Sequence, residues 1–159
     1  MVHLTLITVG TLKEDYLRKA VSEYTKRLSQ YARVEEINIK EEPIFNENDT
    51  TEISLALKRE GQKILSAITK ESSVIALCVE GKLYDSLQLS DLIGKMQSET
   101  GKITLIIGSS HGLSDAVKQR ADLRLSISPL TFPHQLMRVI LLEVIYRSFT
   151  ILAGKKYHK

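Results

Sequence analysis

Hydrophobic residues along the chain fall into five short runs that are separated by helix-type patterns. The runs lie at residues 2–9, 33–39, 74–79, 102–108 and 123–128 and are rich in β-branched side chains. Three of them are almost continuously apolar, which is typical of strands that are covered on both faces. Strands that alternate with helices predict an α/β fold with a mostly parallel sheet flanked by helices.

Between these runs, apolar residues recur at the spacing of an α-helix. The first helix carries an apolar and aromatic stripe from Tyr16 to Tyr31. Further helices are predicted from about Thr50 to Ile68, from about Ser86 to Gln97, and after Ser114, which suits an N-cap. The last helix is expected to begin near Pro133, because proline is favoured in a first helical turn.

The last predicted helix is apolar around nearly its whole circumference. Such a helix must be buried on all sides, and one sheet face covers only one side of it. In a short chain, the same helix of a second copy across a two-fold axis supplies the missing cover. We therefore expect a homodimer through this helix, whose apolar residues are Leu136, Met137, Val139, Ile140, Leu141, Leu142, Val144, Ile145, Phe149, Ile151 and Leu152.

The composition fits one compact soluble domain that spans residues 1–159. Of these residues, 43% are hydrophobic and 26% are charged, which is the ordinary range for globular proteins. No apolar run approaches the roughly 20 residues of a membrane helix, and the start lacks a signal peptide, so we expect a cytoplasmic protein. The single cysteine, Cys78, excludes an internal disulfide and is interpreted as a buried apolar side chain.

Positive charge is concentrated at the C-terminal end. The formal net charge is only +3, but from His134 to Lys159 five Lys or Arg residues accompany a single acid, Glu143. This concentration favours a polyanionic partner, although cationic side chains also accumulate in the last turn of ordinary helices. The same tail holds Tyr157 and His158, an unusual pair for a loose C-terminus.

A segment with two glycines follows the fourth predicted strand. Gly108 and Gly112 lie in "LIIGSSHGLS", at the sheet edge where parallel strands bind ligands. Glycines there permit positive φ angles and a close approach of a ligand to the backbone. The spacing matches neither G-x-G-x-x-G nor a Walker A motif, which disfavours a nucleoside triphosphate. A plain tight turn is the alternative interpretation.

A second segment, "SISPLTFPHQLMR", follows the fifth run. Pro129 and Pro133 stiffen it, while its backbone N–H and C=O groups are free to bind an adenine edge or a ribose. A rigid connector with a helix cap is the alternative. His134 is equally ambiguous, either as a polar group at a helix start or as a catalytic group.

Motifs for several other chemistries are absent from the sequence. There is no H-E-x-x-H, no C-x-x-C and no cluster of paired carboxylates, and the four histidines are scattered. We therefore expect no metal site. A G-x-S-x-G elbow of a serine hydrolase is also absent.

Taken together, the two segments and the tail resemble the RlmH family of SPOUT-class methyltransferases. The likeness rests on "IGSSHG", "LTFPHQLMRVILLEVIYR" and the terminal "YHK", and it extends over the whole chain through "LITVGTLKEDYLRKAVSEYTKRL", "EGQKIL" and "EGK". Members of this family use S-adenosylmethionine to methylate N3 of the pseudouridine at position 1915, in helix 69 of 23S rRNA. The resemblance implies a SPOUT-type α/β domain with a C-terminal trefoil knot, which acts on the assembled ribosome as a homodimer.

The resemblance also implies which residues bind the methyl donor. They are Leu77, Gly108, Ile127, Ser128, Pro129, Leu130, Thr131 and Phe132. One position departs from the family pattern, because Ser109 stands where the family commonly has a second glycine. Since Gly108 and Gly112 are retained, we expect this serine to fit without strain.

The C-terminal tail is expected to carry the proton chemistry. N3 of a pseudouridine is a poor nucleophile until its proton leaves, so the site needs a base or a cationic field. We expect Tyr157 to pack on the cofactor or the extruded base, and His158 to take or relay the proton. Arg138 is assigned to the same catalytic group. The basic side chains expected to hold RNA phosphates are Arg138, Lys155, Lys156 and Lys159.

Two other functions fit parts of the sequence. An RNA-binding or ribosome-assembly module would use the same basic end without chemistry, and it would not bind S-adenosylmethionine. A dinucleotide-dependent oxidoreductase fits the fold class, but the chain lacks the glycine fingerprint of that group.

Overall fold

Five strands and five helices follow one another along the chain. The computed structural model describes all residues, 1–159. The elements are β1 (Val2–Val9), α1 (Asp15–Leu28), β2 (Ala32–Ile39), α2 (Thr50–Ala67), β3 (Ser73–Leu83), α3 (Ser86–Glu99), β4 (Lys102–Ile107), α4 (Asp115–Arg120), β5 (Leu123–Ser126) and α5 (His134–Leu152). The predicted α/β class is confirmed.

All five strands pair in one parallel sheet with the order β2-β1-β4-β3-β5. β1, β4 and β3 therefore have a strand on both sides, whereas β2 and β5 form the edges. α1, α3 and α5 cover one face of the sheet, and α2 and α4 cover the other. This order places the carboxyl ends of β4, β3 and β5 side by side, and two of these ends lead into the predicted binding segments.

Side chains of the central strands fill two separate cores, because successive residues of a strand point to opposite faces. On β1, Leu4 and Leu6 enter the core below α1, α3 and α5, whereas Ile7 and Val9 enter the core below α2 and α4. All four side chains are at most 1% exposed. Burial on both faces explains why the sequence shows nearly continuous apolar runs instead of alternation.

Helix starts are set by side chains that precede each helix. Asp49 caps α2 by accepting hydrogen bonds from two backbone N–H groups, and Asp85 forms a capping box with Gln88 at the start of α3. The predicted N-cap of α4 is confirmed, since the backbone N–H of Val117 donates to Ser114 Oγ (3.4 Å). These caps satisfy N–H groups that have no partner within the helix.

β3 extends four residues further than predicted. The polar residues Glu80, Gly81 and Lys82 end the apolar run in the sequence, but the strand continues through an irregularity in which pairing with β5 moves from Leu77 to Lys82. A Cβ at Gly81 would lie 2.7 Å from the carbonyl carbon of Leu125, so glycine allows the two backbones to approach. The irregular end of β3 is therefore held directly against β5.

α5 is only partly covered within a single chain. Leu142, Ile145 and Phe149 are at most 3% exposed and pack in the core with α1 and α3. Ile140 and Val144 remain partly exposed. This agrees with the expectation that one sheet face does not cover the whole helix, while the homodimer itself stays a prediction.

All five helices pack on the one sheet, and none of them has both the length and the apolar character that crossing a membrane requires. The trefoil knot implied by the resemblance stays a prediction, because strand order alone does not define how a chain is threaded. The assignment of residues 1–159 to a single domain likewise stays a prediction.

Candidate functional site

A cavity of about 430 Å³ lies at the carboxyl ends of β3, β4 and β5. One wall is the glycine loop (residues 108–113), which follows β4, and another is the proline loop (residues 127–133), which joins β5 to α5. The irregular end of β3 forms a third wall. Small-molecule sites in proteins commonly have volumes of roughly 300 to 1,000 Å³, so the size suits an organic ligand.

The cavity gathers most of the residues that the resemblance assigned to the methyl donor. Pro129 does not line it and is exposed in the proline loop. The other seven lie in its walls: Leu77, Gly108, Ile127, Ser128, Leu130, Thr131 and Phe132. Their binding role stays a prediction, but the structure brings them together from three separate parts of the chain.

The glycine loop closes on itself through backbone contacts. The N–H of Gly112 donates to the carbonyl oxygen of Ser109 (2.9 Å), and Gly112 has a φ of +90°, a conformation that favours glycine. A Cβ at Gly108 would lie 2.2 Å from the carbonyl oxygen of Gly112. Close contact within the loop, and not a positive φ, is therefore the first reason for glycine at position 108.

Ser109 fits the loop without backbone strain, as expected. It is 6% exposed and does not have a positive φ. Its side chain lies beside the carboxyl group of Glu60, which is 2% exposed. Burial raises the pKa of Glu60, and hydrogen bonds from the backbone N–H of Glu42 (2.9 Å) and from Ser109 oppose that shift. Glu60 thus connects the glycine loop with the segment that follows β2.

The proline loop leaves most of its backbone polar groups free for a ligand. No N–H or C=O group from residue 128 to residue 132 takes part in a hydrogen bond between main-chain groups. The loop is instead shaped by Ser128, whose Oγ accepts from the N–H of Leu130 (3.0 Å) and whose carbonyl oxygen accepts from Ser126 Oγ (3.3 Å). Free backbone groups on a stiff loop suit the recognition of a planar polar edge.

An ion pair in the cavity wall was not predicted from the sequence. Glu80, at the irregular end of β3, pairs with Lys118 of α4, and both side chains line the cavity. The hydrogen bond from Lys118 lowers the pKa of Glu80, and the carboxylate in turn raises the pKa of Lys118. The available signal was the acidic residue directly after an apolar strand, at an edge where ligands bind.

Cys78 and His134 also line the cavity. Cys78 is 5% exposed, as predicted, and burial raises the pKa of its thiol. Burial lowers the pKa of His134, and the cations of Arg138 and Lys13 act in the same direction while Glu41 opposes them. The His134 imidazole is therefore neutral near pH 7 and can both donate and accept a hydrogen bond.

The C-terminal tail folds back onto α5, and no tail residue lines the cavity of the same chain. The Tyr157 hydroxyl donates to Glu143 Oε2 (2.9 Å). Its ring packs edge-on against Tyr146, with 5.0 Å between centroids, and lies 4.7 Å from the Arg147 guanidinium carbon. Burial and the hydrogen bond to Glu143 raise the pKa of Tyr157. Tyr157 is thus held in a defined cluster on the helix.

The remaining tail residues lie near the surface. His158 Nδ1 is 3.4 Å from Arg147 Nη1, and Lys155, Lys156 and Lys159 are exposed. Exposed lysines are free to contact RNA, but within one chain the structure does not bring them or His158 to the residues assigned to the methyl donor. Their roles in catalysis and RNA binding stay predictions.

Arg138 occupies an environment that does not agree with the predicted phosphate contact. It is 5% exposed, and its Nη2 donates to the carbonyl oxygens of Val9 (2.9 Å) and Gly10 (2.5 Å) at the end of β1. Burial lowers its pKa, and the carboxylate of Glu36 opposes this shift. Its Nε has no hydrogen-bond partner. This enclosure does not favour a contact with surface phosphates, and the roles of Arg138 in RNA binding and catalysis stay predictions.

No group of three or more His, Cys, Asp or Glu side chains is placed so that it could hold a metal ion.

The family model described as "Predicted SPOUT methyltransferase" matches residues 2–158. The chain belongs to the SPOUT methyltransferase family. The resemblance that was noted from the two loops and the tail is therefore confirmed, and it covers nearly the whole chain.

Relatives within the family share close to half of their residues with this chain. A protein from Bacillus pumilus is 45% identical over 158 residues, which are 99% of this chain and 99% of the relative. A protein from Caldicellulosiruptor bescii is 47% identical over 156 residues, which are 98% of this chain and 99% of the relative. Both are named "Ribosomal RNA large subunit methyltransferase H".

The family fold also occurs in a more distant structure from Legionella pneumophila, which was solved in complex with the bound cofactor SAM. The two structures have a TM-score of 0.51 and 13% sequence identity, and the match covers 91% of this chain but 65% of the Legionella protein. At this identity the comparison shows a shared fold. This shared fold agrees with the parallel sheet flanked by helices that is described above.

Proposed function

We propose that this SPOUT family member is an S-adenosylmethionine-dependent methyltransferase that modifies N3 of a pseudouridine in helix 69 of 23S rRNA, within the assembled ribosome. The observation that carries the proposal is the cavity between the glycine loop and the proline loop, which gathers seven of the residues assigned to the methyl donor. The names of the relatives support an rRNA substrate. A ribosomal substrate also supports a cytoplasmic location.

The cavity suits S-adenosylmethionine in its size and in the chemistry of its walls. Leu77, Ile127 and Phe132 supply apolar surface for an adenine ring, and the free backbone groups of the proline loop can pair with the polar edge of that ring. The Glu80 and Lys118 side chains offer opposite charges to the amino and carboxylate groups of the ligand. When bound, the cofactor supplies an electrophilic methyl group.

The protein itself must hold the pseudouridine in line with that methyl group and accept the proton of N3. Extrusion of the base from a loop costs less than extrusion from a duplex, which favours a substrate such as the loop of helix 69. We assign the proton transfer to His158 and the packing on the base or cofactor to Tyr157. Both residues lie on the C-terminal tail.

We infer that the tail serves the cavity of a partner copy, because no tail residue lines the cavity of its own chain. Tyr157 contacts Glu143, which lies six residues beyond the cavity residue Met137 on α5, or about 9 Å along the helix axis. The partly exposed apolar residues Ile140 and Val144 lie on the same helix. A homodimer through α5 would bury these side chains and bring the tail of one protomer towards the other.

The function is tested by following tritium from labelled S-adenosylmethionine. Ribosomes and separated subunits from a strain that lacks this protein are the substrates, and those from the parent strain are the control. We expect label in 23S rRNA, confined to the helix 69 fragment, only with material from the deletion strain. Absence of transfer, together with absence of S-adenosylmethionine binding in calorimetry, would instead identify a non-catalytic RNA-binding module.

A further inference from the structure

A second depression, which we call the polar basin, adjoins the cavity. It has a volume of about 570 Å³, and none of its nine lining residues is hydrophobic. Ser110 and His134 belong to both the basin and the cavity. The basin lies beyond the carboxyl ends of β1 and β2, so it extends the ligand-binding edge of the sheet past the glycine loop. A molecule in the cavity and a molecule in the basin would be immediate neighbours.

The basin carries an excess of positive charge. Lys13 and Lys40 line it, both are exposed, and neither forms an ion pair with a carboxylate. Glu41 is the only acid in the lining. By contrast, Lys118 in the neighbouring cavity is paired with Glu80. Two unpaired ammonium groups at the rim of a polar depression are suited to bind two negative charges that lie some distance apart, such as two neighbouring phosphates.

The floor of the basin adds to this potential. Gly10 has a carbonyl oxygen that accepts hydrogen bonds from Arg138 Nη2 (2.5 Å) and from Asn38 Nδ2, so its acceptor capacity is used within the protein. Arg138 is 5% exposed and forms no ion pair, and its hydrogen bonds go to the backbone carbonyls of Val9 and Gly10. A buried cation below a polar floor raises the potential above it, even though it touches no ligand.

We propose that the polar basin binds the phosphodiester backbone of the RNA substrate, with Lys13 and Lys40 contacting phosphates next to the nucleotide whose base enters the cavity. This proposal rests on the proposed function, because it assigns the substrate side of the same reaction. Arg138 then acts as a positioning residue that shapes the floor and its potential. His134 lies between phosphate and cofactor, where a neutral imidazole can donate a hydrogen bond to either of them.

The basin is assigned to RNA and not to the carboxylate of S-adenosylmethionine for two reasons. The ion pair of Glu80 and Lys118 already provides charged groups within the cavity. Moreover, two exposed lysines without ion-pair partners are suited to a solvated polyanion that crosses the rim of the basin. A single carboxylate is better bound by one enclosed cation. Binding of the cofactor carboxylate in the basin is retained as an outcome of the test.

The test compares Lys13→Ala/Lys40→Ala with the control Lys58→Ala/Lys95→Ala, which removes two exposed, unpaired lysines from the outer surfaces of α2 and α3. Ribosome binding is measured from 50 to 300 mM salt, and S-adenosylmethionine binding by calorimetry. We expect the basin variant to raise the Kd for ribosomes at least tenfold and to lower the slope of log affinity against log salt concentration by about 1.5, since each phosphate contact contributes roughly 0.7 to 0.9. Cofactor affinity should change less than twofold.

A variant of opposite sign keeps the test decisive. Glu41→Gln removes the one negative charge of the basin, so it should tighten ribosome binding severalfold at low salt. An unchanged salt slope in the lysine variant would overturn the proposal, and so would a loss of cofactor affinity with normal ribosome binding. Because binding and its salt slope are measured without methyl transfer, these outcomes are separate from a failure of the proposed function.

Discussion

Gly108 is held at its position by the loop that it begins, so a methyl group there should disturb the loop from within. A Cβ would lie 2.2 Å from the carbonyl oxygen of Gly112, and backbone must move to relieve that contact. For Gly108→Ala we expect a loss of about 1 to 3 kcal/mol, or a Tm lower by roughly 3 to 10 °C. Calorimetry should also show S-adenosylmethionine affinity reduced more than tenfold.

The matched control is Gly94→Ala in α3. There a Cβ would lie 3.0 Å from Leu152 Cδ2, the end of a flexible and partly exposed side chain that can move aside. Alanine also favours the helix by up to about 1 kcal/mol. This control should keep the Tm and the cofactor affinity of the wild type. Wild-type cofactor affinity in Gly108→Ala would show that the glycine loop does not contact the cofactor.

The buried carboxyl group of Glu60 should give stability an unusual dependence on pH. Burial raises its pKa in the folded protein. Its favourable contribution to the free energy of unfolding is therefore complete below about pH 4.5, and it is lost as the pH rises through the pKa of the folded state. Glu60→Gln retains an acceptor for the N–H of Glu42 but cannot ionise. In thermal denaturation between pH 4 and pH 8, we expect the Tm of this variant to rise relative to that of the wild type as the pH rises.

Glu42→Gln provides the comparison of opposite sign. The hydrogen bond from Lys63 (2.8 Å) lowers the pKa of Glu42, so its contribution is present above the unfolded pKa and disappears as the pH falls. The Tm of this variant should be lower than that of the wild type at pH 8, and the two values should be equal near pH 3. If Glu60→Gln showed the same trend as Glu42→Gln, the assigned burial effect on Glu60 would be wrong.

Individual side chains mark the limit of what the sequence could predict at the site. Gly108, Leu77 and Phe132 were assigned through family likeness, and the structure places them at one cavity. Arg138 was assigned to phosphates as one of the basic side chains that are concentrated at the C-terminal end. Its actual partners are carbonyl groups at the end of β1, more than 100 residues away along the chain. Such a contact depends on strand order, which no local pattern encodes.

Helix α5 should lose its partner when its partly exposed apolar side chains become charged. In Ile140→Glu/Val144→Glu, two carboxylates without partners would have to enter the proposed interface at a cost of several kcal/mol. We expect light scattering to report a monomer or aggregate in place of a dimer. The control is Leu55→Glu, which changes a 49% exposed leucine on α2, across the sheet from α5. A stable, active dimer of the α5 variant would refute the interface.

The elements themselves were predictable because each has a local signal. Continuous apolar runs marked β1, β3 and β4, and residues such as Ser114 marked helix starts. The prediction ended β3 too early, since Glu80 and Gly81 look like the start of a loop. That part of the strand is stabilised by β5, which lies about 40 residues later in the sequence. Pairing with a strand that is distant in the sequence produces no local hydrophobic periodicity from which it could be predicted.

Removal of the tail should separate folding from catalysis in the whole molecule. Residues 157–159 contribute the contacts of Tyr157 with Glu143, Tyr146 and Arg147 but no core side chain. We expect the truncated protein to remain folded, with a Tm lowered by a few degrees at most. Methyl transfer should fall by orders of magnitude even at saturating ribosome.

His158→Ala distinguishes a chemical role of the tail from an electrostatic one. If His158 handles the proton of N3, the variant should lower turnover more than ribosome affinity. The exposed lysines remain in this variant, so the salt dependence of binding serves as its internal control. A truncation that alters only that salt dependence, with normal turnover at saturation, would show that the tail is a tether.

The cavity joins a central strand to an edge strand, and this asymmetry has a consequence for amide hydrogen exchange. The glycine loop leaves β4, which is paired on both sides, whereas the proline loop leaves the four-residue β5, which is paired only with β3. Amides of β4 should exchange only when the whole molecule unfolds, while β5 and the loop after it can open locally. A ligand can therefore enter by displacing the proline loop alone, and its arrival should slow exchange there while leaving the rates of β4 unchanged.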